Sequence, residues 1–286
     1  MNSKKKLAIV GIFYDGYLDL WKDFFALFKK FWPDCPYKLY VACQKTELNN
    51  DFTFLKAGED AEYSKKVQTA VNEIDADYLL LILEDFFLSK PLDKNVIEPI
   101  FQYIIDNDID YCAMPLPDFK RSYRGKKIKN TTFRKISPKA EYTVSCQPAI
   151  WKKDFLKKCV GELNYNAWIF EGVYSKAPFA HTEDFLKGCI VDKNNPLSIV
   201  HGAVQGKMLP KCVKTLRKSG YMLTTDRKVM SGSQAFKRQL KVLVSDYLPL
   251  FIRKAIKKRI KTSSVVDRYN EDIKTVIDSL GNGTLL

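Results

Sequence analysis

Two adjacent carboxylates, Glu84 and Asp85, follow an apolar run of strand length, Asp77–Leu83. Such a run predicts a buried strand of a parallel sheet. Ligands of open α/β sheets bind at the carboxyl ends of the strands, and carboxylate oxygens are the preferred ligands of Mg²⁺ and Mn²⁺. We therefore expect a metal or ligand site here. The alternative is that both carboxylates only cap the next segment.

Glu171 is the candidate general base. It closes the sequence Trp168-Ile-Phe-Glu, in which aromatic neighbours can raise the pKa of the carboxyl towards neutrality. A base near neutral pKa can take a proton from a hydroxyl group at physiological pH. The alternative is a glutamate that caps a helix or packs among core aromatics, and Glu183 and Asp184 are the next candidates.

One histidine and one lysine follow later in the chain. His201 ends a predicted strand at residues 197–201 and precedes Gly202, a position suited to a third metal ligand or a donor to phosphate. Lys207 stands behind a glycine-containing loop and can reach a diphosphate. The alternatives are a structural histidine and a surface lysine. The two histidines, His181 and His201, are 20 residues apart, which excludes the H-E-x-x-H zinc motif.

Alternating strands and helices must position these residues. Apolar periodicity predicts strands at 7–14, 37–43, 77–83 and 111–115, and helices at 19–32, 63–74 and 96–107. This alternation predicts an α/β domain with a mostly parallel central sheet. Further along, we expect a basic loop or hairpin at 118–139, a strand at 142–151, a helix at 153–159 and mixed helical structure after Gly220.

Positive charge is concentrated near the end of the chain. The net charge is +14, and Lys237–Lys261 contributes +8 of it through nine basic residues against one acid. With its interspersed apolar residues, this segment is predicted to be a peripheral anchor on an anionic membrane surface. The alternative is a solvated helical pair packed on the rest of the protein. We accordingly divide the chain into a catalytic domain, residues 1–232, and a basic helical extension, residues 233–286.

Four stretches, taken in order, resemble bacterial GT-A glycosyltransferases of the O-antigen and capsular polysaccharide assembly kind. The sequence departs from that pattern where Glu84 stands in place of an aspartate, and where Lys66 stands near an expected arginine. The stretches are Tyr17–Phe25 with Phe31–Tyr37; Leu81–Leu88; Val144–Trp151 with Trp168–Glu171; and Val200–Lys207.

The resemblance implies a GT-A (Rossmann-like) fold that binds a nucleotide-sugar, and a Mn²⁺ or Mg²⁺ cofactor. Asp85 and His201 would hold the metal, and Glu171 would deprotonate the acceptor in an inverting transfer. The turn after the first strand would cradle the nucleoside. The remaining donor-binding candidates are Tyr14, Asp15, Asp19, Lys66, Glu84 and Lys207; Asp19 is equally well explained as a helix N-cap. The acceptor-binding candidates are Gln147, Trp151 and Trp168.

The sequence therefore predicts a hexosyltransferase that uses a nucleotide-sugar and a glycan or polyprenyl-diphosphate-linked acceptor. The resemblance implies a UDP-sugar as the donor. We expect it in the cytoplasm, because its seven cysteines include no C-x-x-C pair and fit reduced thiols. We expect it to be peripheral to the inner face of the cytoplasmic membrane, because no apolar run approaches the about 20 residues of a spanning helix. One rival is a basic nucleic-acid-binding protein, but no zinc, helix-turn-helix or RNP1 signature supports a nucleic-acid partner. The other is a non-catalytic scaffold of the same fold.

Overall fold

An eight-stranded sheet forms the centre of the computed structural model, which describes residues 5–48, 51–117, 125–237 and 268–282. The strand order across the sheet is β3-β2-β1-β4-β8-β6-β9-β7. The strands are β1 (Leu7–Ile12), β2 (Leu39–Cys43), β3 (Thr53–Lys56), β4 (Tyr78–Leu83), β6 (Tyr111–Ala113), β7 (Phe133–Lys135), β8 (Ala149–Lys152) and β9 (Cys189–Asp192). Six of them run in one direction, and only β7 and β8 run the other way.

The parallel block β3-β2-β1-β4 is a Rossmann-like half-sheet. Because these four strands are parallel, their carboxyl ends and the loops that follow them lie at the same edge of the sheet. The predicted fold class, α/β with a mostly parallel central sheet, is confirmed. The site residues that follow β1 and β4 are therefore brought to one edge.

Helices cover both faces of the sheet, because successive side chains of a buried strand point to opposite faces. In β1, Ala8 and Val10 face one core and Ile9 faces the other. Helices α1, α3 and α6 pack on the Ile9 side, and α2, α4, α5 and α7 on the other side. The helices are α1 (Leu18–Phe31), α2 (Tyr63–Glu73), α3 (Glu98–Asp106), α4 (Lys153–Val160), α5 (Ala167–Lys176), α6 (Pro210–Lys218) and α7 (Asn270–Asn282).

Two short antiparallel ladders lie outside the main sheet. One pairs β5 (Phe86–Leu88) with β10 (Ile199–His201), and the other pairs β11 (Ala203–Val204) with β12 (Lys207–Met208). The first ladder begins directly after Asp85. It brings a distant segment of the chain to the end of β4.

Most predicted elements agree with the structure to within two or three residues, but two differences matter. The strand expected at 142–151 is only the short β8, and residues 142–148 are irregular. Residues 221–230, expected to be partly helical, contain no helix. The segment 125–139 contains the hairpin-like pairing of Lys127 with Arg134; residues 118–124 lie outside the described part.

Helix α7 packs on α5 and buries Ile273, Val276 and Leu280 in the core that α2 and α5 share. Helix α7 is thus tied to the main domain. Of the predicted anchor, only Lys237 is among the described residues, so the anchor and the boundary at residue 232 stay predictions. Among the described residues, no helix is both long and apolar enough to cross a membrane.

Candidate active site

A cleft of about 770 Å³ lies at the carboxyl ends of β1 and β4. Parallel strands end at the same edge, and helix α5 and the β10–β11 segment close the cleft from other sides. The structure brings eight predicted site residues together in its lining: Tyr14, Lys66, Glu84, Asp85, Gln147, Trp168, Glu171 and His201.

Asp85 and His201 form the polar centre of this cleft. The Nε2 atom of His201 lies 3.2 Å from Oδ2 of Asp85, and both side chains are largely buried. The β5–β10 register explains this contact, since it pairs His201 with Phe86, the residue after Asp85. Gly202 permits the approach: its N–H donates to the Asp85 carbonyl at 2.6 Å, and a Cβ there would lie 2.6 Å from the Phe87 ring.

Glu84 and Lys66 are buried beside this pair, with exposures of 7% and 4%. Burial and the negative charge of Asp85 raise the pKa of Glu84 to about 8, so its carboxyl is mostly protonated at pH 7. Burial lowers the pKa of Lys66, while the Glu84 carboxyl opposes that change. The Lys66 ammonium donates to the Phe13 carbonyl at 2.8 Å. A buried cation is thus fixed against the end of β1, next to the cleft.

Helix α5 supplies Glu171 and Trp168 on one face, because residues three apart in a helix are neighbours. Asn166 caps this helix by accepting from the N–H groups of Trp168 and Ile169, an interaction of about 1 kcal/mol. Trp168 is 41% exposed in the cleft mouth. Glu171 is partly buried and accepts from the Cys146 N–H at 3.2 Å.

The electrostatic setting of Glu171 suits a base. Burial raises the pKa of its carboxyl above the ordinary value, and the opposing effects of the Cys146 N–H and of His201 are smaller. Among the described lining residues there is one lysine, Lys66. The acidic residues are Glu62, Asp85, Glu171 and the mostly protonated Glu84. The cleft is therefore acidic overall.

Tyr14 and Tyr17 form an aromatic wall at the end of β1. Their rings meet edge to face at 5.6 Å, and the Lys66 ammonium lies 5.6 Å from the centre of the Tyr14 ring. Tyr14 is 48% exposed. An exposed ring next to a cation is a suitable surface for a flat heterocycle.

Asp15 and Asp19 are placed beside the cleft and not in its lining. Asp15 accepts from the N–H groups of Gln44, Lys45 and Thr46. Burial acts to raise its pKa, but the hydrogen bonds from Thr46 and these N–H groups outweigh that effect and lower it. Asp15 therefore fastens the loop after β2 to the turn after β1.

Asp19 lies in the first turn of α1, which begins at Leu18, so it is not the N-cap residue. Arg227 donates to its carboxylate through Nε at 2.7 Å and Nη2 at 2.8 Å and lowers its pKa. The guanidinium of Arg227 also lies 3.9 Å from the centre of the Tyr17 ring. Through these contacts the segment that follows α6 supports the aromatic wall.

Three further candidates have different positions. Gln147 lines the cleft and accepts from the Leu116 N–H at 3.2 Å. Trp151 is 1% exposed and packs in the core against Tyr111, so it supports β8 and does not line the cleft. Lys207 is exposed on β12 and donates to Gln234 at 3.4 Å, outside the lining.

Sequence reasoning missed several lining residues. Glu62 immediately precedes α2, and Gln205 lies in the tight turn between β11 and β12. Tyr269 precedes α7 and reaches the cleft because α7 packs on α5. No local pattern distinguishes these residues, so only tertiary packing identifies them.

The cleft offers few side-chain ligands to the implied divalent ion. Among the described residues, no group of three or more His, Cys, Asp or Glu side chains is placed to hold a metal. Asp85 and His201 nevertheless offer an oxygen and a nitrogen donor 3.2 Å apart on the cleft surface. One or two protein ligands suffice for Mg²⁺ or Mn²⁺ when substrate phosphates supply others. The pair therefore fits an ion that is shared with a bound diphosphate.

Neither a protein-family model nor a curated protein sequence matches this chain. The fold is similar to S. aureus TarS 1-349 in complex with UDP-GlcNAc, at 10% identity over 85% of this chain and 68% of that chain, with a TM-score of 0.44. It is also similar to the galactosyltransferase LgtC in complex with donor and acceptor sugar analogs, at 9% identity over 86% and 99%, with a TM-score of 0.36.

A third similar structure is UDP-glucose pyrophosphorylase complexed with UDP-glucose, at 8% identity over 66% of this chain and 90% of that one, with a TM-score of 0.39. The chain spans 58% of TarS 1-349 in a further structure and 42% of the longer TarS chain. At these identities and TM-scores, the likeness says nothing about the substrate or reaction of this chain.

Proposed function

We propose that this protein is a glycosyltransferase that transfers a hexose from a nucleotide-sugar, a UDP-sugar, to a lipid-linked or oligosaccharide acceptor of surface polysaccharide synthesis. The transfer inverts the sugar configuration and depends on a divalent ion. The observation that carries the proposal is the joint placement of the Asp85–His201 pair, Glu171 and Lys66 in one cleft at the carboxyl ends of β1 and β4.

The charge of the cleft supports the requirement for an ion. A nucleoside diphosphate is an anion, and a cleft lined by Glu62, Asp85 and Glu171 against Lys66 repels it. Asp85 and His201 would hold Mn²⁺ or Mg²⁺, which when bound neutralises charge on the diphosphate. Glu84 contributes little repulsion, because its raised pKa keeps it mostly protonated at pH 7.

The residues of the chain then have separate tasks. Tyr14 stacks on the nucleoside base, and Lys66 places a positive charge near the diphosphate. Glu171 accepts the proton of the acceptor hydroxyl while the hydroxyl oxygen forms a bond to the anomeric carbon. The bond from that carbon to the diphosphate oxygen breaks, and the nucleoside diphosphate leaves with the electron pair. Trp168 and Gln147 contact the acceptor.

A screen of common sugar nucleotides, with Mn²⁺ and with EDTA, tests this proposal. We expect slow release of nucleoside diphosphate from one donor with Mn²⁺ present and none with EDTA. The measured product also decides the class: release of pyrophosphate from a nucleoside triphosphate would instead indicate nucleotidyl transfer. Absence of both products, together with absence of nucleotide binding, would contradict the proposal.

The membrane partner is proposed from the sequence. The basic segment Lys237–Lys261 lies, except for Lys237, outside the described residues. Because α7 packs on α5, a truncation would remove core residues as well as charge. We therefore expect a full-length variant with the basic residues of 238–261 changed to Gln to lose flotation with phosphatidylglycerol vesicles, whereas the unchanged protein floats and is released by high salt. Equal flotation of both proteins would contradict the anchor.

A further inference from the structure

A second cavity adjoins the cleft at His201. It has a volume of about 310 Å³, within the usual range for small-ligand sites, and His201 lines both spaces. Separate parts of the chain form it: the residues after β5, the residues after β6, the turn after β9 together with β10, and the first turns of α6. Its polar lining residues include Ser89, Lys90, Asn194, Asn195, Lys211 and Thr215.

The charge of this cavity is opposite to that of the cleft. Lys90 and Lys211 line it from two different elements, and none of the described residues that line it is acidic. The cleft, in contrast, has four carboxyl groups and one lysine. Ammonium, hydroxyl and side-chain amide groups together are the donors that a phosphate group requires.

We propose that the second cavity binds the phosphate-bearing part of the acceptor. This inference rests on the proposed function and commits to its lipid-linked acceptor, a sugar carried on a polyprenyl diphosphate. A sugar hydroxyl must lie next to Glu171 in the cleft, and the diphosphate of the same molecule needs a cationic site close by that the acidic cleft does not offer. The cavity that shares His201 with the cleft provides that site.

Two stretches of backbone that are held by hydrogen bonds support the assignment. Asn195 and Ser198 have positive φ values of 52° and 49°, and the Asn195 side chain bonds both the N–H and the carbonyl of Ile199. The turn after β9 is therefore held in a defined conformation beside β10. The residue before Lys90 is held as well: the Ser89 N–H donates to the Ser198 carbonyl at 3.2 Å, and the Ser219 hydroxyl donates to the Ser89 carbonyl at 2.6 Å. The backbone that carries Lys90 and Asn195 is thus held in a defined conformation.

Titration calorimetry with inorganic pyrophosphate in metal-free buffer tests the proposal. Lys90→Met and Lys211→Met should each weaken pyrophosphate binding about tenfold, because each removes one charged donor to phosphate. Lys214→Met, which changes an exposed lysine one turn further along α6, is the matched control and should leave the affinity unchanged. Lys66→Gln removes the cation of the cleft and reports whether pyrophosphate binds there instead.

Three results would overturn the inference. They are undetectable pyrophosphate binding, equal affinities in all variants, and a loss confined to Lys66→Gln, which would place the phosphate in the cleft. The same variants are also tested for flotation with phosphatidylglycerol vesicles. Loss of flotation with unchanged pyrophosphate affinity would overturn it too, because the lysines would then serve the membrane surface. Release of nucleoside diphosphate from the donor, measured in every variant, reports separately on the proposed function.

Discussion

Asp85→Asn should lower the rate of donor turnover by about 10³-fold or more. The amide has nearly the shape of the carboxylate, but it carries no negative charge to hold a divalent ion. Asp85 is 9% exposed, and its carboxylate lies 3.2 Å from Nε2 of His201. The substitution therefore removes charge from the centre of the cleft without opening a cavity. Turnover at saturating donor and Mn²⁺ measures the effect.

Asp77→Asn is the matched control for this substitution. Asp77 stands at the amino end of β4, where it accepts from Lys5 and from the Lys6 N–H, whereas Asp85 follows the carboxyl end. The same change of charge at the far end of the strand should leave turnover within about twofold of the unchanged protein, since surface ion pairs contribute little. If Asp85→Asn keeps the turnover of the unchanged protein, and its thermal midpoint lies within a few degrees of that protein's, Asp85 is not in the site.

The sequence predicts the position of Asp85 because a single local signal determines it. A buried parallel strand is apolar on both faces, so β4 is recognisable as an uninterrupted run, and the first polar residues after it must lie at the carboxyl edge. The same reasoning places the turn at Tyr14–Gly16 at the carboxyl end of β1. Helix α1 is equally clear, since its apolar residues recur at helical spacing and Pro33 follows its end.

Other features depend on contacts between distant segments and leave no local signal. Strand β5 has three residues and exists because β10 pairs with it. Arg227 stabilises Asp19 from more than 200 positions away. Trp151 is a further example, because an aromatic residue in a short strand can face either the core or the cleft. The sheet register sets Trp151 opposite Leu79 and Tyr111, and this register assigns it to the core.

The charge pattern of the site also required the structure. The sequence shows a net charge of +14, which favours an anionic partner. The cleft itself is nonetheless acidic, and the lysines are placed around it, two of them in the second cavity. A basic protein thus encloses an acidic centre. In the proposed reaction, a divalent ion in the cleft would offset these carboxyl groups for an anionic donor.

Glu171→Gln should lower turnover by roughly 10²–10⁴-fold while donor affinity survives. Glutamine keeps the oxygen that accepts from the Cys146 N–H, but it cannot take a proton. Because burial raises the pKa of Glu171, wild-type activity should fall as the pH decreases through a value above the ordinary 4.5. Glu183→Gln, at an exposed carboxylate outside the cleft lining, is the control and should retain full activity.

Stability provides a second readout for Glu171, with a defined sign. The pKa of this carboxyl is higher in the folded than in the unfolded chain, so folding favours its protonated form. The contribution of Glu171 to the free energy of unfolding is therefore fully present below the pKa of the unfolded chain. It is lost as the pH rises through the pKa of the folded protein. Glutamine has no ionised form, so the thermal midpoint of Glu171→Gln, relative to the unchanged protein, should be higher at pH 8 than at pH 5. A base held in place at the expense of stability shows both effects together. Preserved turnover at saturating donor with weakened donor binding would instead make Glu171 a binding residue.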